Sequence, residues 1–218
     1  MSGVSEILLI RHGETAWNAE RRLQGYLDVP LNSHGQLQAE AMAAALADQP
    51  LDAVFASDLQ RARQTAQALA DAHGLPLQTD PELRERCYGA FEGLLYDEIA
   101  AHFPAAHAAW QARDIDARFP AGRHAAETLR EFSQRALSVV NRLAQSPGCR
   151  RIAIVTHGGV LESVYRSVRE IGHLPARDFE IPNAGINRLV RDGAGWRIDG
   201  WAEVAHLRQL AALDEIDG

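Results

Sequence analysis

In the stretch ILLIRHGETAWN, Arg11 and His12 directly follow an apolar run and are followed by glycine. The same arrangement recurs twice: the run at 53–56 leads into Ser57 and then Arg61, and the run at 152–155 leads into Thr156, His157, Gly158 and Gly159. Taken singly, these are unremarkable residues, since a strand-end arginine is commonly a surface charge and a lone histidine commonly packs. Together they suit one ligand. Guanidinium forks match phosphate oxygens, helix starts offer unpaired N–H groups and partial positive charge, and glycine lets the backbone approach closely. The substrate class suggested is a phosphate ester.

The elements that must position these groups can be read from the pattern around them. Short continuous apolar runs at 7–10, 53–56 and 152–155 predict strands buried on both faces of a parallel sheet, and ligands of such sheets bind outside the carboxyl ends of the strands. Ser33 with Gln36 and Ser57 with Gln60 have capping-box spacing, which predicts helix starts at both serines, with Arg61 in the first turn of the second helix. Gly74 and Pro76 close that helix. Apolar residues from Leu129 to Leu143 at steps of three and four predict a long helix beginning near Glu127, and Leu161, Val164, Val168 and Ile171 trace another. Residues 186–190 and 196–204 predict an edge hairpin turning through 192–195. Strand and helix alternate, so the expected class is α/β, a mostly parallel sheet with helices on both faces. The segment at about 94–123, with Trp110 and weak periodicity, is expected to be a partly helical, cap-like insertion over the site within one domain spanning 1–218.

Composition narrows the partners. A chain of 218 residues, 46% hydrophobic, can bury a sizeable core. Its net charge of −7 argues against a nucleic-acid surface while leaving room for a small arginine-lined anion pocket. No apolar run approaches the ~18 residues of a membrane span and no basic leader opens the chain, so a cytoplasmic protein without membrane contact is expected. Cys87 and Cys149, with no CxxC, read as free thiols. His102, His107 and His124, beside the insertion, lack metal-ligand spacing, and no metal or cofactor is expected. Dinucleotide and P-loop glycine motifs are absent from the sequence. Trp17 and Trp110 are candidates for a pocket mouth, and Glu92 and Glu127 read as surface carboxylates.

The motifs RHGETAWNAERRLQG, SDLQRARQTA, ELRERCYGAFEG and VTHGG, in this order between residues 11 and 159, resemble those of the histidine phosphatase superfamily, the phosphoglycerate mutase-like family. The resemblance implies the three-layer fold of that family, His12 as a nucleophile that becomes phosphorylated, and Arg11, Arg61 and His157 around the phosphoryl oxygens. It implies Glu85 as proton donor, with Asn18, Gln24, Gly25 and Gly158 as phosphate or substrate contacts, whereas Glu14 and Thr15 would only cap or orient the loop after His12. Attack by neutral imidazole in a fixed cationic pocket requires no metal.

The function this implies is a metal-independent phosphomonoester phosphatase acting on small phosphorylated metabolites. A phosphoglycerate mutase is the alternative, and a non-catalytic phospho-ligand module is a third. Several departures favour hydrolysis: Gln24 where mutases have threonine, Gly158-Gly159 where they tend to have Gly-Asn, Cys87 where they have histidine, and a shorter span from Glu85 to His157. The partner expected is a small-molecule phosphate ester, and a homodimer is left open.

Overall fold

A computed structural model describes residues 4–193, 195–208 and 210. The two ends of the expected 1–218 unit and Ala194, within the expected hairpin turn, lie outside the described residues. The elements run β1 (Glu6–Arg11), α1 (Ala16–Ala19), α2 (Ser33–Leu46), β2 (Ala53–Ala56), α3 (Gln60–His73), β3 (Leu77–Thr79), α4 (Tyr96–His102), α5 (Pro104–Gln111), α6 (Leu129–Leu143), β4 (Arg151–Thr156), α7 (Gly158–Val168), β5 (Ile186–Asp192) and β6 (Gly195–Glu203). The strands form one sheet in the order β3-β2-β4-β1-β5-β6. β1, β2, β3 and β4 pair in parallel, while β5 and β6 form the antiparallel hairpin at one edge.

The continuous apolar runs are explained by two cores. Strand side chains alternate between faces, so Ile7, Leu9, Phe55, Ile152 and Ile154 pack with Phe132, Val139 and Leu143 of α6 and Val160 and Leu161 of α7. Leu8, Ile10, Val54, Ala153 and Val155 pack on the other side with Met42 and Leu46 of α2 and Ala62, Ala66 and Leu69 of α3. The expected α/β sheet covered on both faces is what the chain forms. Among the described residues, no helix is long and apolar enough to cross a membrane.

Helix starts differ from the expectation in instructive ways. α2 is capped by Asn32, one residue before Ser33, whose Oδ1 accepts the N–H of Gly35 at 2.7 Å. Ser57 does not cap α3; it is fully buried, and its Oγ accepts only a long bond of 3.4 Å from Leu59 N–H. The first turn of α3 is satisfied from outside, by Asp28 Oδ1 accepting from Gln60 N–H at 2.7 Å, a long-range cap with no local sequence signal. α6 begins on a capping box between Thr128 and Glu131. Strand β3 was not legible because its three residues are mostly exposed and lack alternation.

The 94–123 segment contains α4 and α5 and is partly helical as expected. Its apolar residues build a third, smaller core, in which Ile99 and Phe119 pack with Leu23, Phe91 and Ala126, and the Phe91 and Phe119 rings stack at 4.5 Å.

The loop after β1 is fixed by glycine-to-glycine packing. A methyl group on Gly13 would lie 2.5 Å from the Gly35 carbonyl oxygen, and one on Gly35 would lie 2.0 Å from that of Glu14. Gly35→Ala is therefore expected to lower stability by about 1–3 kcal/mol through overpacking, even though alanine is the better helix former. Urea unfolding checks this, and unchanged or raised stability would show that the loop can yield.

Candidate active site

The parallel register pairs Ile10 with Val155 and Arg11 with Thr156, so the next residues on each strand, His12 and His157, must be neighbours. His12 N–H donates to the Thr156 carbonyl at 2.9 Å, and the two imidazole centroids stand 5.2 Å apart, edge to face.

His12 is held in one tautomer. Its Nδ1 lies 2.7 Å from the Gly13 carbonyl oxygen, which can only accept, so Nδ1 carries the proton and Nε2 keeps the lone pair. Burial, then the charges of Arg61 and Arg11, holds its pKa well below the ordinary imidazole value, so the ring is neutral around pH 7. Asn183 Nδ2 donates to the His12 carbonyl at 2.9 Å. Gly13 N–H donates to Thr65 Oγ1 at 2.9 Å, and that hydroxyl donates to the Arg61 carbonyl at 2.8 Å. The nucleophile's loop is thereby fastened to α3, the helix that carries Arg61.

The cations are fixed by backbone carbonyls rather than by carboxylates. Arg11 Nη1 donates to Ile181 O at 2.6 Å; Arg61 Nη1 and Nη2 donate to Leu27 O and Gly25 O, both at 2.8 Å. Burial lowers the pKa of both, that of Arg61 to about 10, and a guanidinium stays protonated in proteins at neutral pH. Carbonyls orient a guanidinium without cancelling its charge, which suits a site awaiting an anion.

Buried polar atoms without a hydrogen-bond partner among the described residues include Arg11 Nε, Arg61 Nε, Gln24 Oε1 and both ring nitrogens of His157. A buried donor left unpaired costs about 1–3 kcal/mol, and the donors among these atoms, the two guanidinium Nε–H groups and one ring N–H of His157, mark where a ligand's acceptor oxygens are expected. Burial, with Arg61, His12 and Arg11, holds His157 well below the ordinary imidazole pKa.

Glu85 faces the start of α7. Its Oε2 accepts Gly159 N–H at 2.9 Å and its Oε1 accepts Arg86 N–H at 2.8 Å. A methyl group on Gly159 would lie 2.2 Å from Glu85 Oε1 and 3.0 Å from the Phe132 ring, so it would displace the carboxylate from this position. The atoms nearest the equivalent position on Gly158 belong to Arg11 and Glu85, at the ordinary contact distances of 3.8–4.0 Å. The Glu85 segment is clamped by Arg135, which donates to the carbonyls of Glu82, Arg84 and Glu85 at 2.7, 3.0 and 3.2 Å and pairs with Glu127 at 2.7 Å.

A cavity of about 420 Å³ opens at this strand end, and Arg11, His12, Asn18, Gln24, Gly25, Arg61, Glu85 and Gly158 all line it. Of the residues expected at the site, only His157 is absent from the wall; it is fully buried against His12. Gly25 has φ +53°, and a methyl group on it would lie 2.1 Å from Glu92 Oε1, so this position needs glycine. Asn18 has a second task in a capping box with Thr15 that starts α1, and Thr15 caps as expected.

Other expectations are corrected. Trp17 is not on the wall and carries the Arg22 guanidinium 5.8 Å from its ring, whereas Trp110 does line the cavity. Glu92 is not a surface carboxylate: its Oε1 accepts Tyr26 N–H and Tyr88 N–H, each at 2.9 Å. Nor is Glu127, which accepts Cys87 N–H at 3.0 Å and holds Arg135. His102, His107 and His124 lie off the wall. Sequence reasoning missed Tyr88, Tyr96, Arg113, Glu162 and Arg177, all on it. Glu162 alone had a usable signal, since it follows Gly158 by one helical turn and so shares its face.

The model of the histidine phosphatase superfamily (branch 1) matches residues 7–204. The phosphoglycerate mutase-like protein 4 of Arabidopsis thaliana is 40% identical over 214 residues, covering 96% of this chain and 90% of that protein. A metal-independent phosphoserine phosphatase of Arabidopsis thaliana is 34% identical over 215 residues, covering 97% and 87%. Among solved structures, a mycobacterial glucosyl-3-phosphoglycerate phosphatase superposes with a TM-score of 0.79 at 27% identity, covering 92% of this chain and 100% of that one.

Proposed function

The chain belongs to the histidine phosphatase superfamily, and on that premise we propose that it is a metal-independent phosphomonoesterase of small metabolites, working through a phosphohistidine at His12. The observation that carries the reading is the single tautomer of His12, with Nε2 unprotonated in a cavity that also holds Arg11, Arg61 and Glu85.

In the first step Nε2 forms a bond to phosphorus while the bond from phosphorus to the ester oxygen breaks. Arg11, Arg61 and the start of α7 receive the charge on the equatorial oxygens. His157, a neutral ring without partners in the free site, donates to the same group once it binds. Glu85, acting as general acid, gives a proton to the departing alkoxide. In the second step the Glu85 carboxylate takes a proton from water, whose oxygen bonds to phosphorus as the bond to Nε2 breaks, releasing inorganic phosphate. Asn18 of α1 and Gln24 of the loop after it contact the phosphoryl group, and the whole chain acts as one unit with the 94–123 segment as its cap.

Phosphatase names among the relatives support hydrolysis, as does the departure from mutases at Gln24, Cys87 and Gly159. The test is to incubate EDTA-treated protein with a panel of phosphate esters while following free phosphate. In parallel, conversion of 3-phosphoglycerate is followed with 2,3-bisphosphoglycerate supplied. Rapid phosphate release with little isomerisation is expected; fast isomerisation with little release would replace this reading by the mutase.

A further inference from the structure

Arg11, His12 and Asn18, all on the cavity wall, are held by one distant segment that the phosphoryl chemistry leaves unused, residues 181–184. The sheet explains the meeting. β5 runs antiparallel to β1 with Ile186 opposite Ile10, so the residues just before β5 come alongside those just after β1. Ile181 O accepts Arg11 Nη1 at 2.6 Å. Ala184 N–H donates to the carbonyls of Arg11 and His12 at 3.0 and 3.3 Å. Asn183 Nδ2 donates to the His12 carbonyl at 2.9 Å and stands 3.5 Å from Asn18 Oδ1.

The segment turns tightly to do this. Gly185 N–H donates to the Pro182 carbonyl at 3.1 Å, closing a turn whose third residue, Ala184, has φ +52°. Turns usually give that conformation to glycine. In a residue with a side chain it persists only where the surroundings over-determine it, and such residues gather at functional sites. Ala184 is fully buried in the core that contains Leu8, Ile10 and Ile186, so packing and hydrogen bonds fix it together.

What the segment sets is orientation. His12 N–H is bound by the Thr156 carbonyl on one side, and Asn183 and Ala184 bind its carbonyl on the other, so the main chain that aims the imidazole is gripped at both ends. Asn18 is aligned by the same contact. Its Oδ1 accepts Thr15 N–H at 3.1 Å and the Thr15 hydroxyl at 3.0 Å, with Asn183 Nδ2 as a third neighbour, which leaves its Nδ2 donor end for the cavity. Asn183 does not line that cavity; it acts through two residues that do.

We propose, resting on the phosphatase reading, that Asn183 is a positioning residue for phosphoryl transfer. Its one amide group sets the His12 main chain and the Asn18 side chain relative to each other, so that nucleophile and donor meet the same phosphoryl group. The contribution falls on the in-line transition state, where both must be aligned, more than on ground-state binding.

Two variants test this. Asn183→Leu keeps the branched shape without the N–H groups, and Asn183→Ala removes both. In each, kcat is expected to fall about 10–100-fold, the scale on which a misplacement of about 1 Å acts, while KM changes less than about threefold. Vanadate, which adopts a five-coordinate geometry like that of the transferring group, is expected to bind at least about tenfold more weakly, and inorganic phosphate within about threefold of wild type. A merely structural role would lower thermal stability, followed by circular dichroism, and leave kcat of the folded protein and the vanadate-to-phosphate ratio unchanged. That outcome would overturn the inference with the phosphatase reading intact, as would equal weakening of both anions. If the wild type releases phosphate from no ester, the phosphatase reading fails and this inference falls with it.

Discussion

Replacing His12 by alanine is expected to lower turnover of every phosphate ester by on the order of 10⁴-fold or more, the scale seen when a nucleophile is removed from a preorganised site. No other group on the cavity wall offers the same combination. His157, the other buried imidazole described at this strand end, has neither ring nitrogen hydrogen-bonded among the described residues, so nothing there fixes its tautomer, and Glu85 already accepts two backbone N–H groups. The variant should remain folded, because the ring's hydrogen bond to Gly13 is local, while the loop is held through main-chain atoms by Thr65 and Asn183. Circular dichroism and thermal unfolding check the fold alongside phosphate release. A folded variant that keeps substantial turnover would remove His12 from the chemistry.

Glu85→Gln separates proton donation from the rest of the mechanism. Alkoxides are poor leaving groups unless protonated, and a positioned acid contributes about 10²–10⁴-fold, so alkyl esters should lose activity within that range. Aryl esters such as 4-nitrophenyl phosphate, whose leaving group needs little protonation, should lose less than about tenfold. The amide also disturbs local geometry, since its NH₂ cannot accept one of the two backbone N–H bonds that the carboxylate receives. That disturbance affects both ester classes, so the ratio of the two losses isolates the acid role. Equal losses would reduce Glu85 to a structural residue.

How far the site could be read from the sequence depends on whether the cause is local. The runs at 7–10 and 152–155 reveal buried strands, and their parallel register then forces His12 and His157 together. Arg61 follows from its place at the start of α3, even though the cap expected there, Ser57, is replaced by Asp28 from a distant loop. Glu85 is placed by a motif, but what steadies it is not local: Arg135 lies fifty residues on and reaches back to its carbonyl. Glu127 was misread for the same reason, because a carboxylate is classed as buried or exposed by a partner that proximity in sequence does not reveal. The rest of the cavity wall was least legible. Arg113 and Arg177 come from segments without periodicity or motif, and they meet at Glu162 only because the chain folds both onto α7.

The central claim is a covalent intermediate on one nitrogen. Mixing the enzyme with a ³²P-labelled ester, quenching in alkaline denaturant within a turnover and mapping the label is the direct measurement. The account predicts acid-labile, alkali-stable label on the peptide containing His12, attached at Nε2 and absent from His12→Ala. Phosphate release without any trapped label under single-turnover conditions, or an acid-stable label on another residue, would contradict it.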